Sequence, residues 1–282
     1  MTKLKTRIYN SEPQLKDVRS FIQLMINDLK TSYELSIVLM VRNISSQYRQ
    51  TYLGSLWAVL PAIFTTSIFV YLSNKRVLSI ENIEGPYVLY VISGMVLWQV
   101  FTDSINSPLN QADKSITMLK KIMFTREALI VAGIGEVLFN FLIRSILLVI
   151  TFIYYDVQIT LQFIFVPIGV MSIVLFGTVI GVLLLPFGLL YRDVGKSLTM
   201  LTTLWFFITP VIYSSSNQDV FDLVKYNPVT PLLATTRSLL IGSNEIYTNQ
   251  FILVTCISIL FLVAGWVLFR LAIPHLVSRM GS

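Results

Sequence analysis

Residues 161–190 read LQFIFVPIGVMSIVLFGTVIGVLLLPFGLL, a stretch without a charged side chain. About 20 apolar residues in a helix cross the ~30 Å hydrocarbon core of a bilayer, so this stretch predicts a membrane span. Of the 282 residues in the chain, 55% are hydrophobic and 13% are charged, whereas soluble domains carry about 25% charged residues. This composition excludes a disordered chain, argues against an ordinary cytosolic enzyme and indicates an integral membrane protein.

The expected fold is an all-α integral membrane protein with six transmembrane helices. The six apolar segments lie at about 53–71, 87–106, 128–155, 161–190, 198–213 and 251–273. Sixteen of the 21 Lys and Arg residues flank these segments on one side, and four flank them on the other. Because cytoplasmic loops are enriched in basic residues, both termini are predicted to be cytoplasmic. The expected domains are interfacial helices at 1–52, a six-span region at 53–273 and a cytoplasmic tail at 274–282.

The first fifty residues carry helical periodicity of their own. An apolar stripe recurs every three or four residues at Leu15, Val18, Phe21, Met25 and Leu29, while Asp28 lies off it. A second helical stretch follows at about 33–50. We interpret both as amphipathic helices on the cytoplasmic membrane surface, the alternative being ordinary packed helices.

Two further segments outside the spans are predicted to be structured. In the loop at 107–126, Leu109, Ala112, Ile116, Leu119 and Met123 keep helical spacing, and Ser107-Pro108 is a typical helix start. This cytoplasmic helix either docks against a partner protein or rests on lipid. The segment at 214–250 holds apolar pieces too short to span, which predict external re-entrant or interfacial helices near a pore, or a loop packed on the bundle.

Polar residues within the predicted third span are its most unusual feature. Glu136, Asn140 and Arg144 are four residues apart and share one broad helix face. An isolated Arg at the bilayer centre costs at least ~2.5 kcal/mol, so we expect Arg144 to be buried, paired or hydrated. It either lines a pore for an anionic substrate or makes a static polar contact between helices. No second carboxylate is expected beside it.

The sequence predicts no metal or cofactor in this chain. The single cysteine, Cys256, cannot form an internal disulfide, and a single histidine, His275, leaves most metal and haem sites without ligands. Gly195-Lys196-Ser197 resembles the end of a phosphate-binding loop, but Leu190 stands where that motif requires glycine. An ATP-driven function would therefore need ATP and Mg²⁺ in another subunit. The net charge of +6 is attributed to orientation and anionic lipid, not to nucleic acid.

Aromatic and small residues also recur at helical spacing. Trp57, Phe64 and Tyr71 stand seven residues apart in the predicted first span. Such a face can stack against sugar rings, although bundle cores and membrane interfaces use the same residues. Gly177 and Gly181 permit the close approach of a second helix, either within the chain or across a dimer.

Three motifs together resemble a known family. Residues 42–61, RNISSQYRQTYLGSLWAVLP, are similar to the signature that opens the first span of polysaccharide ABC exporter permeases. YRDV at 191–194 and YNPVTP at 226–231 resemble that family's turn after the fourth span and its Asn-Pro element before the last. The resemblance is closest to the O-antigen exporter permeases, and teichoic-acid and capsule permeases are similar. Asn43 departs from the pattern, because the family usually carries an acid there.

The resemblance implies a function. Such a permease has six spans, forms a homodimer in the bacterial inner membrane and binds two separate nucleotide-binding ATPase subunits. It is not itself an enzyme. The complex exports a polysaccharide linked to undecaprenyl diphosphate, here expected to be O-antigen, from the cytoplasmic face. The loop between the second and third spans corresponds to the coupling helix that contacts the ATPase, and the external segment forms short helices near the exit.

Candidate roles for individual residues combine the resemblance with their chemistry. Contact with the ATPase is assigned to Ile116, Leu119, Lys120 and Lys121. Arg42 and Arg49 would attract the diphosphate as the substrate enters, the alternative being plain positive-inside bias. The channel lining is assigned to Trp57, Phe64, Tyr71, Phe206 and Phe207. Two other classes remain open: a membrane-embedded enzyme on polyprenyl-linked sugars, for which the scattered external acids form no motif, and an ion-coupled secondary carrier.

Overall fold

The structure is a computed structural model that describes residues 18–49, 51–75, 85–115, 127–191, 193–214, 224, 226–243 and 247–280. This part of the chain is helical and contains no strand. Its α-helices are α1 Val18–Arg49, α2 Leu60–Asn74, α3 Tyr87–Lys114, α4 Glu127–Tyr154, α5 Val166–Leu190, α6 Asp193–Ile208, α7 Val229–Ile241 and α8 Thr248–Met280. Two 3₁₀ turns, Gly54–Ala58 and Leu161–Phe165, precede α2 and α5. The predicted all-helical class is confirmed.

Four helical segments have the length and composition to cross a membrane: Tyr87–Lys114, Glu127–Tyr154, Leu161–Leu190 and Thr248–Leu271. They correspond to the predicted second, third, fourth and sixth spans. The predicted first and fifth spans are shorter helices. α2 has 15 residues and α6 has 16, which at 1.5 Å per residue gives about 22 and 24 Å, less than the ~30 Å of a bilayer core.

Pro61 explains why the predicted first span is divided. A proline is tolerated in the first turn of an α-helix but disrupts its interior, because it lacks a backbone N–H. α2 accordingly begins at Leu60, and the residues before it form the 3₁₀ turn Gly54–Ala58. Gly54 has φ +51°, a conformation that glycine adopts without steric cost.

The amino-terminal segment is one continuous helix, α1, where the sequence predicted two. Its buried face, which packs on α4, carries Met25, Asp28, Ser32, Ser36, Leu39 and Asn43. The predicted apolar stripe is therefore wrong at its end, because Leu29 is 40% exposed and Asp28 only 5%. Polar contacts with neighbouring helices compensate the burial of the polar side chains on this face and determine which side of α1 is buried. Leu15 and the side chains of Val18 and Phe21 lie outside the described part of the chain.

α3 forms the centre of the bundle. In an apolar stretch of 18 residues within α3, 83% of the residues are buried, compared with 22% in the corresponding stretch of α4 and 11% in that of α8. α5 packs on α3 through two glycines: a Cβ on Gly177 would lie 2.6 Å from Ser104 Cβ, and one on Gly181 would collide with the Ile105 carbonyl oxygen. Of the two alternatives for this glycine pair, the structure shows packing within the chain. The exposed apolar faces of α4 and α8 are left for lipid or another protein.

α3 also continues beyond the predicted second span. It passes through Pro108 and ends at Lys114, so the helix start predicted at Ser107-Pro108 is wrong. The Pro108 ring lies next to Gly181 of α5. Because Gly181 has no side chain, α5 leaves room for the local irregularity that Pro108 introduces into α3. Residues 116–126, which include most of the predicted coupling helix, lie outside the described residues.

The segment predicted at 214–250 contains α7, which is buried along almost its whole length against α3, α5 and α8. Its 13 residues extend about 20 Å, too short to cross a bilayer. Arg237 of α7, which the sequence counts among the four basic residues on the outer side, is 0% exposed and therefore buried within the bundle. If Arg237 is left out, sixteen basic residues remain on the predicted cytoplasmic side and three on the other, so the predicted orientation is unchanged.

Candidate functional site

Arg144 of α4 forms an ion pair that the sequence did not predict. Its Nη1 lies 2.6 Å from Asp103 Oδ2 of α3, and its Nε donates to the Ala58 carbonyl oxygen at 3.1 Å. The expectation that no second carboxylate lies near Arg144 was wrong, because Asp103 belongs to the predicted second span. The Arg144 side chain is 9% exposed and that of Asp103 is 31% exposed. The pair joins α3, α4 and the 3₁₀ turn before α2, as a static contact between helices would.

Glu136 of α4 belongs to a second polar network. Asn43 Nδ2 donates to Gln111 Oε1 at 2.6 Å, and Gln111 Nε2 donates to Glu136 Oε2 at 2.6 Å. Lys114 Nζ lies 3.0 Å from Glu136 Oε1. An amide suits this position, because Asn43 also accepts from Arg42 at 3.2 Å and an ionised acid could not donate to Gln111. The departure from the family pattern thus produces a chain of hydrogen bonds from α1 to α4.

Asn140, the third polar residue on this face of α4, pairs with α1. Its Oδ1 accepts from the Tyr48 hydroxyl at 2.7 Å. Burial is the largest cause that raises the pKa of Tyr48 above its usual value; the carboxylates Asp103 and Glu136 raise it further and Arg144 lowers it. The hydroxyl is therefore protonated at neutral pH and acts as the donor. The predicted shared face is thus observed, with a different partner for each residue.

A cavity of about 210 Å³ opens between α1, α3 and α4 beside these networks. Its polar lining includes Gln47, Asp103, Asn106, Asn110, Glu136 and Asn140. At ~30 Å³ per water molecule the volume corresponds to about seven waters. The described residues contain no group of three or more His, Cys, Asp or Glu that could hold a metal ion. The cavity is therefore suited to water or to a small polar group.

Three charged residues, Asp28, Glu127 and Arg270, form what we call the Arg270 cluster. Arg270 of α8 lies 2.6 Å from Asp28 of α1 and 3.3 Å from Glu127 of α4. The side chains of Arg270, Asp28 and Glu127 are 15%, 7% and 7% exposed. Trp266 Nε1 adds a contact of 3.4 Å to Glu127. Because Glu127 directly follows 116–126, the cluster fixes one end of the predicted coupling segment to α1 and α8.

Arg237 joins α7 to the chain that leaves α6. Its guanidinium carbon lies 3.8 Å from the centre of the Tyr90 ring, a cation–π contact with α3. Its Nη2 donates to the carbonyl oxygens of Pro210 and Val211 at 3.0 and 2.9 Å. Buried cations persist where such partners replace water. Arg237 therefore stabilises the packing of α7 rather than facing the exterior.

Asn227 of the Asn-Pro motif makes three hydrogen bonds between α6 and α7. Its Oδ1 accepts from Trp205 Nε1 and from the Val229 backbone N–H, each at 3.0 Å. Its Nδ2 donates to Thr209 Oγ1 at 2.9 Å. The side chain thus satisfies one free N–H at the start of α7 and holds the end of α6 beside it. The motif has a structural role in this chain.

The residues predicted to line a channel fall into two groups. Trp57, Phe64, Tyr71 and Phe207 are 58–64% exposed. Phe206 instead packs against Trp98, with ring centroids 5.7 Å apart. The two arginines assigned to substrate attraction, Arg42 and Arg49, lie on the exposed side of α1. Ile116, Leu119, Lys120 and Lys121 lie outside the described residues.

Sequence reasoning missed Asp103, Gln111 and the Arg270 cluster. The signal for Asp103 was present, since an acid within an apolar span is expected to be paired. The contact between Asp28 and Arg270 joins residues 242 positions apart, and no local spacing indicates such a pair. The sequence can therefore indicate that a polar residue is paired, but the identity of its partner becomes visible only after the helices have been placed.

The long apolar helices, with polar groups paired between them, define a multi-pass helical membrane protein. No protein-family model matches the chain. It is 22% identical to an O-antigen export system permease protein RfbA of Klebsiella pneumoniae, over 76% of this chain and 83% of that protein. A second RfbA of that species is 23% identical, over 84% of this chain and 88% of that protein. The same-named protein of Myxococcus xanthus is 26% identical, over 76% and 83%.

These similarities extend over most of the chain, and all three relatives are named as transport permeases. The resemblance to polysaccharide exporter permeases inferred from the sequence motifs is confirmed. All three relatives are named as O-antigen export permeases, the group to which the motifs pointed.

Proposed function

We propose that this chain is the membrane-spanning permease subunit of an ATP-driven ABC exporter. It moves a polysaccharide linked to undecaprenyl diphosphate, with O-antigen as the favoured substrate, across the bacterial inner membrane. The observation that carries the proposal is the similarity, over 76–84% of the chain, to relatives named as O-antigen export permeases. Capsule and teichoic-acid precursors are the alternative substrates. ATP and Mg²⁺ belong to a separate nucleotide-binding subunit.

In this proposal α2 and α6 complete the six spans, and both termini are cytoplasmic. The 3₁₀ turn Gly54–Ala58 adds five residues before α2, about 10 Å at ~2 Å per residue. Together with the ~22 Å of α2 this reaches the ~30 Å of the hydrocarbon core. The shorter α6 would be accommodated by local thinning of the bilayer or by its protein neighbours.

The proposed assembly is a homodimer of this permease with two ATPase subunits. Trp57, Phe64 and Tyr71 are exposed although aromatic, and they follow one another along the 3₁₀ turn and α2. Exposed apolar surface of this kind is expected to face lipid or a partner. A second copy placed opposite these residues would enclose a channel with aromatic walls, which can stack weakly on many sugars.

Contact with the ATPase is assigned to the coupling helix predicted at 107–126, and within it to the segment at 116–126 that follows α3 and holds the four candidate contact residues. The ion pair of Lys114 with Glu136 lies at one end of this segment, and the Arg270 cluster lies at the other. Such anchors would transmit a displacement of the segment to α1, α4 and α8. Lys120 and Lys121 are the candidate contact residues within it.

The decisive experiment is co-purification of the chain with the ATPase encoded beside its gene, followed by ATP hydrolysis in lipid. A stable complex whose ATPase activity depends on the permease is the expected result. A chain that binds no nucleotide-binding subunit would refute the exporter assignment. Turnover of polyprenyl-linked sugars by the purified chain alone would support an enzyme instead.

A charge-reversal variant tests the coupling segment within that complex. Lys120→Glu combined with Lys121→Glu should leave the ATPase active but abolish export, because a basic contact surface becomes acidic. Lys30→Glu is the matched control, since Lys30 is an exposed cation on α1. Normal export by the double variant would remove 116–126 from the coupling pathway.

A further inference from the structure

The proposed transport function gives no role to the cavity between α1, α3 and α4. Among the described residues that line it, Val137 is the single apolar side chain. Its volume of about 210 Å³ is below the ~300–1,000 Å³ of sites for drug-sized ligands. The cavity therefore has room for one small polar ring but not for an extended chain.

The three charged residues that line the cavity, Asp103, Glu136 and Lys114, each have an ion-pair partner, which for Asp103 is a residue outside the lining. Asp103 is paired with Arg144 at 2.6 Å, and Glu136 is paired with Lys114 at 3.0 Å. An anionic ligand would have to displace a carboxylate from its cation, and a cationic ligand would have to displace a cation from its carboxylate. A neutral ligand can bind without breaking either ion pair.

Carboxamide groups supply the unused hydrogen-bonding capacity. Gln47 and Asn110 line the cavity and are exposed, and neither side chain bonds another described residue. Asn106 uses its Nδ2 on the Thr102 carbonyl at 2.8 Å, which leaves its Oδ1 as an acceptor. These groups come from two helices, α1 and α3, and meet in one space.

From this wall we infer that the cavity binds one neutral sugar ring. A carboxamide carries a donor and an acceptor side by side in one plane, and adjacent ring hydroxyls each donate and accept. Each of the three charged wall residues has an ion-pair partner, which favours a neutral polyol over a phosphate or a cation. The inference rests on the proposed export function, in which the ring belongs to the exported glycan or to a free cytoplasmic sugar.

The expected affinity is weak, as suits a site that releases its ligand. A ring of about a dozen non-hydrogen atoms, binding with the efficiency of drug-sized ligands, has a Kd of about 2 mM. Loss of one neutral hydrogen bond weakens binding about two- to tenfold. Gln47→Leu and Asn110→Leu should each produce a loss of this size and retain the fold, because neither side chain bonds another described residue.

The test uses the full chain in lipid nanodiscs and saturation-transfer NMR. The probes are the methyl glycosides of mannose, galactose and N-acetylglucosamine, titrated in the millimolar range. At least one probe should receive saturation from the native chain, and its Kd should rise in both variants. Gln23→Leu is the matched control, because Gln23 is also an exposed glutamine on α1 but does not line the cavity; its Kd should be unchanged.

A second arm identifies the source of the sugar. A benzophenone side chain is placed at position 47, or at 23 as control, in cells that make the glycan and in cells that do not. Glycan attached through position 47 in producing cells assigns the site to the exported polymer. Glycoside binding in nanodiscs without such attachment assigns it to a free sugar; both results uphold a sugar site.

Equal saturation transfer in native chain, Gln47→Leu and Asn110→Leu, or none in any of them, would overturn the inference. The cavity would then hold water only. This result leaves the proposed function standing if the permease still forms an active complex with its ATPase, because that assay does not involve the glycosides. If no complex with the ATPase forms but the glycosides still bind, the sugar site stands and the exporter function is refuted.

Discussion

Removal of Asp103 should strand the buried guanidinium of Arg144 and destabilise the bundle. A buried ion pair that loses one partner costs ~3–5 kcal/mol, whereas an exposed pair is worth less than ~1 kcal/mol. The 2.6 Å contact lies between these limits, since Arg144 is 9% exposed and Asp103 is 31% exposed. Arg144 also keeps its bond to the Ala58 carbonyl oxygen. We therefore expect Asp103→Leu to lower the free energy of unfolding by about 2–3 kcal/mol.

Removal of the other partner, Arg144→Met, should lower the free energy of unfolding by about 1–2 kcal/mol, because water can reach the remaining Asp103 carboxylate at its partly exposed side. The double variant leaves no unpaired charge and removes both desolvation penalties. It should therefore lose only about 2 kcal/mol, which makes the coupling energy of the pair about 1–3 kcal/mol. Coupling of this size identifies a direct interaction within the membrane domain.

The measurement is reversible unfolding of the purified full chain in mixed micelles by increasing dodecyl sulfate, followed by circular dichroism. Lys196→Met is the control: Lys196 is exposed on α6 and should change the free energy of unfolding by less than ~0.5 kcal/mol. If the effects of Asp103→Leu and Arg144→Met add within ~0.5 kcal/mol, the two side chains do not stabilise each other and the static contact is refuted.

Three further predictions use the same unfolding assay. Gly181→Ala should lose ~1–3 kcal/mol through overpacking against α3, while Gly195→Ala, where a Cβ meets nothing within 4 Å, should gain up to ~1 kcal/mol; equal changes would contradict the packing of α5 on α3. Arg270→Asp should be strongly destabilising, and adding Asp28→Arg should restore part of the loss; a second loss on top of the first would argue against their contact. Asn227→Leu should cost ~2–3 kcal/mol and Asn227→Asp less, since an acid keeps the acceptors; an equal cost would mean that the bonds accepted from Trp205 and Val229 contribute nothing to stability.

The extent to which the sequence predicts this fold depends on the kind of signal. Apolar length is a local property, so the starts of the four long helical segments were located to within a few residues, whereas α3 and α8 extend well beyond the predicted ends. Helix orientation depends on what lies opposite. On α1 the buried positions include Asp28 and Ser32, because Arg270 and the neighbouring backbone compensate them. A stripe drawn through apolar residues alone therefore placed Leu29 on the wrong face.

The candidate site shows the same division. Glu136, Asn140 and Arg144 were found because polar residues in an apolar span are conspicuous, and their shared face follows from helical spacing. Their partners could not be assigned. Asp103 is one of two acids in the predicted spans, the other being Glu136, and its distance to Arg144 depends on how α3 and α4 pack. The burial of Arg237 could not be predicted for a related reason, since the sequence does not show that its short helix packs inside the bundle.

The positions of the two charge clusters constrain how a coupling segment could act in this chain. Lys114 and Glu127 stand on either side of 116–126, and each is tied to a different set of helices. Through Lys114 and Glu136, a displacement reaches the wall of the polar cavity. Through Glu127 and Arg270, it reaches α1 and α8. Because the buried ion pairs of Arg270 with Asp28 and Glu127 resist separation, a push on this segment from the proposed ATPase would move α1, α4 and α8 together. The cavity and the parts of α1 and α8 around Asp28 and Arg270 would then change together, which links occupancy of the cavity to the position of α1.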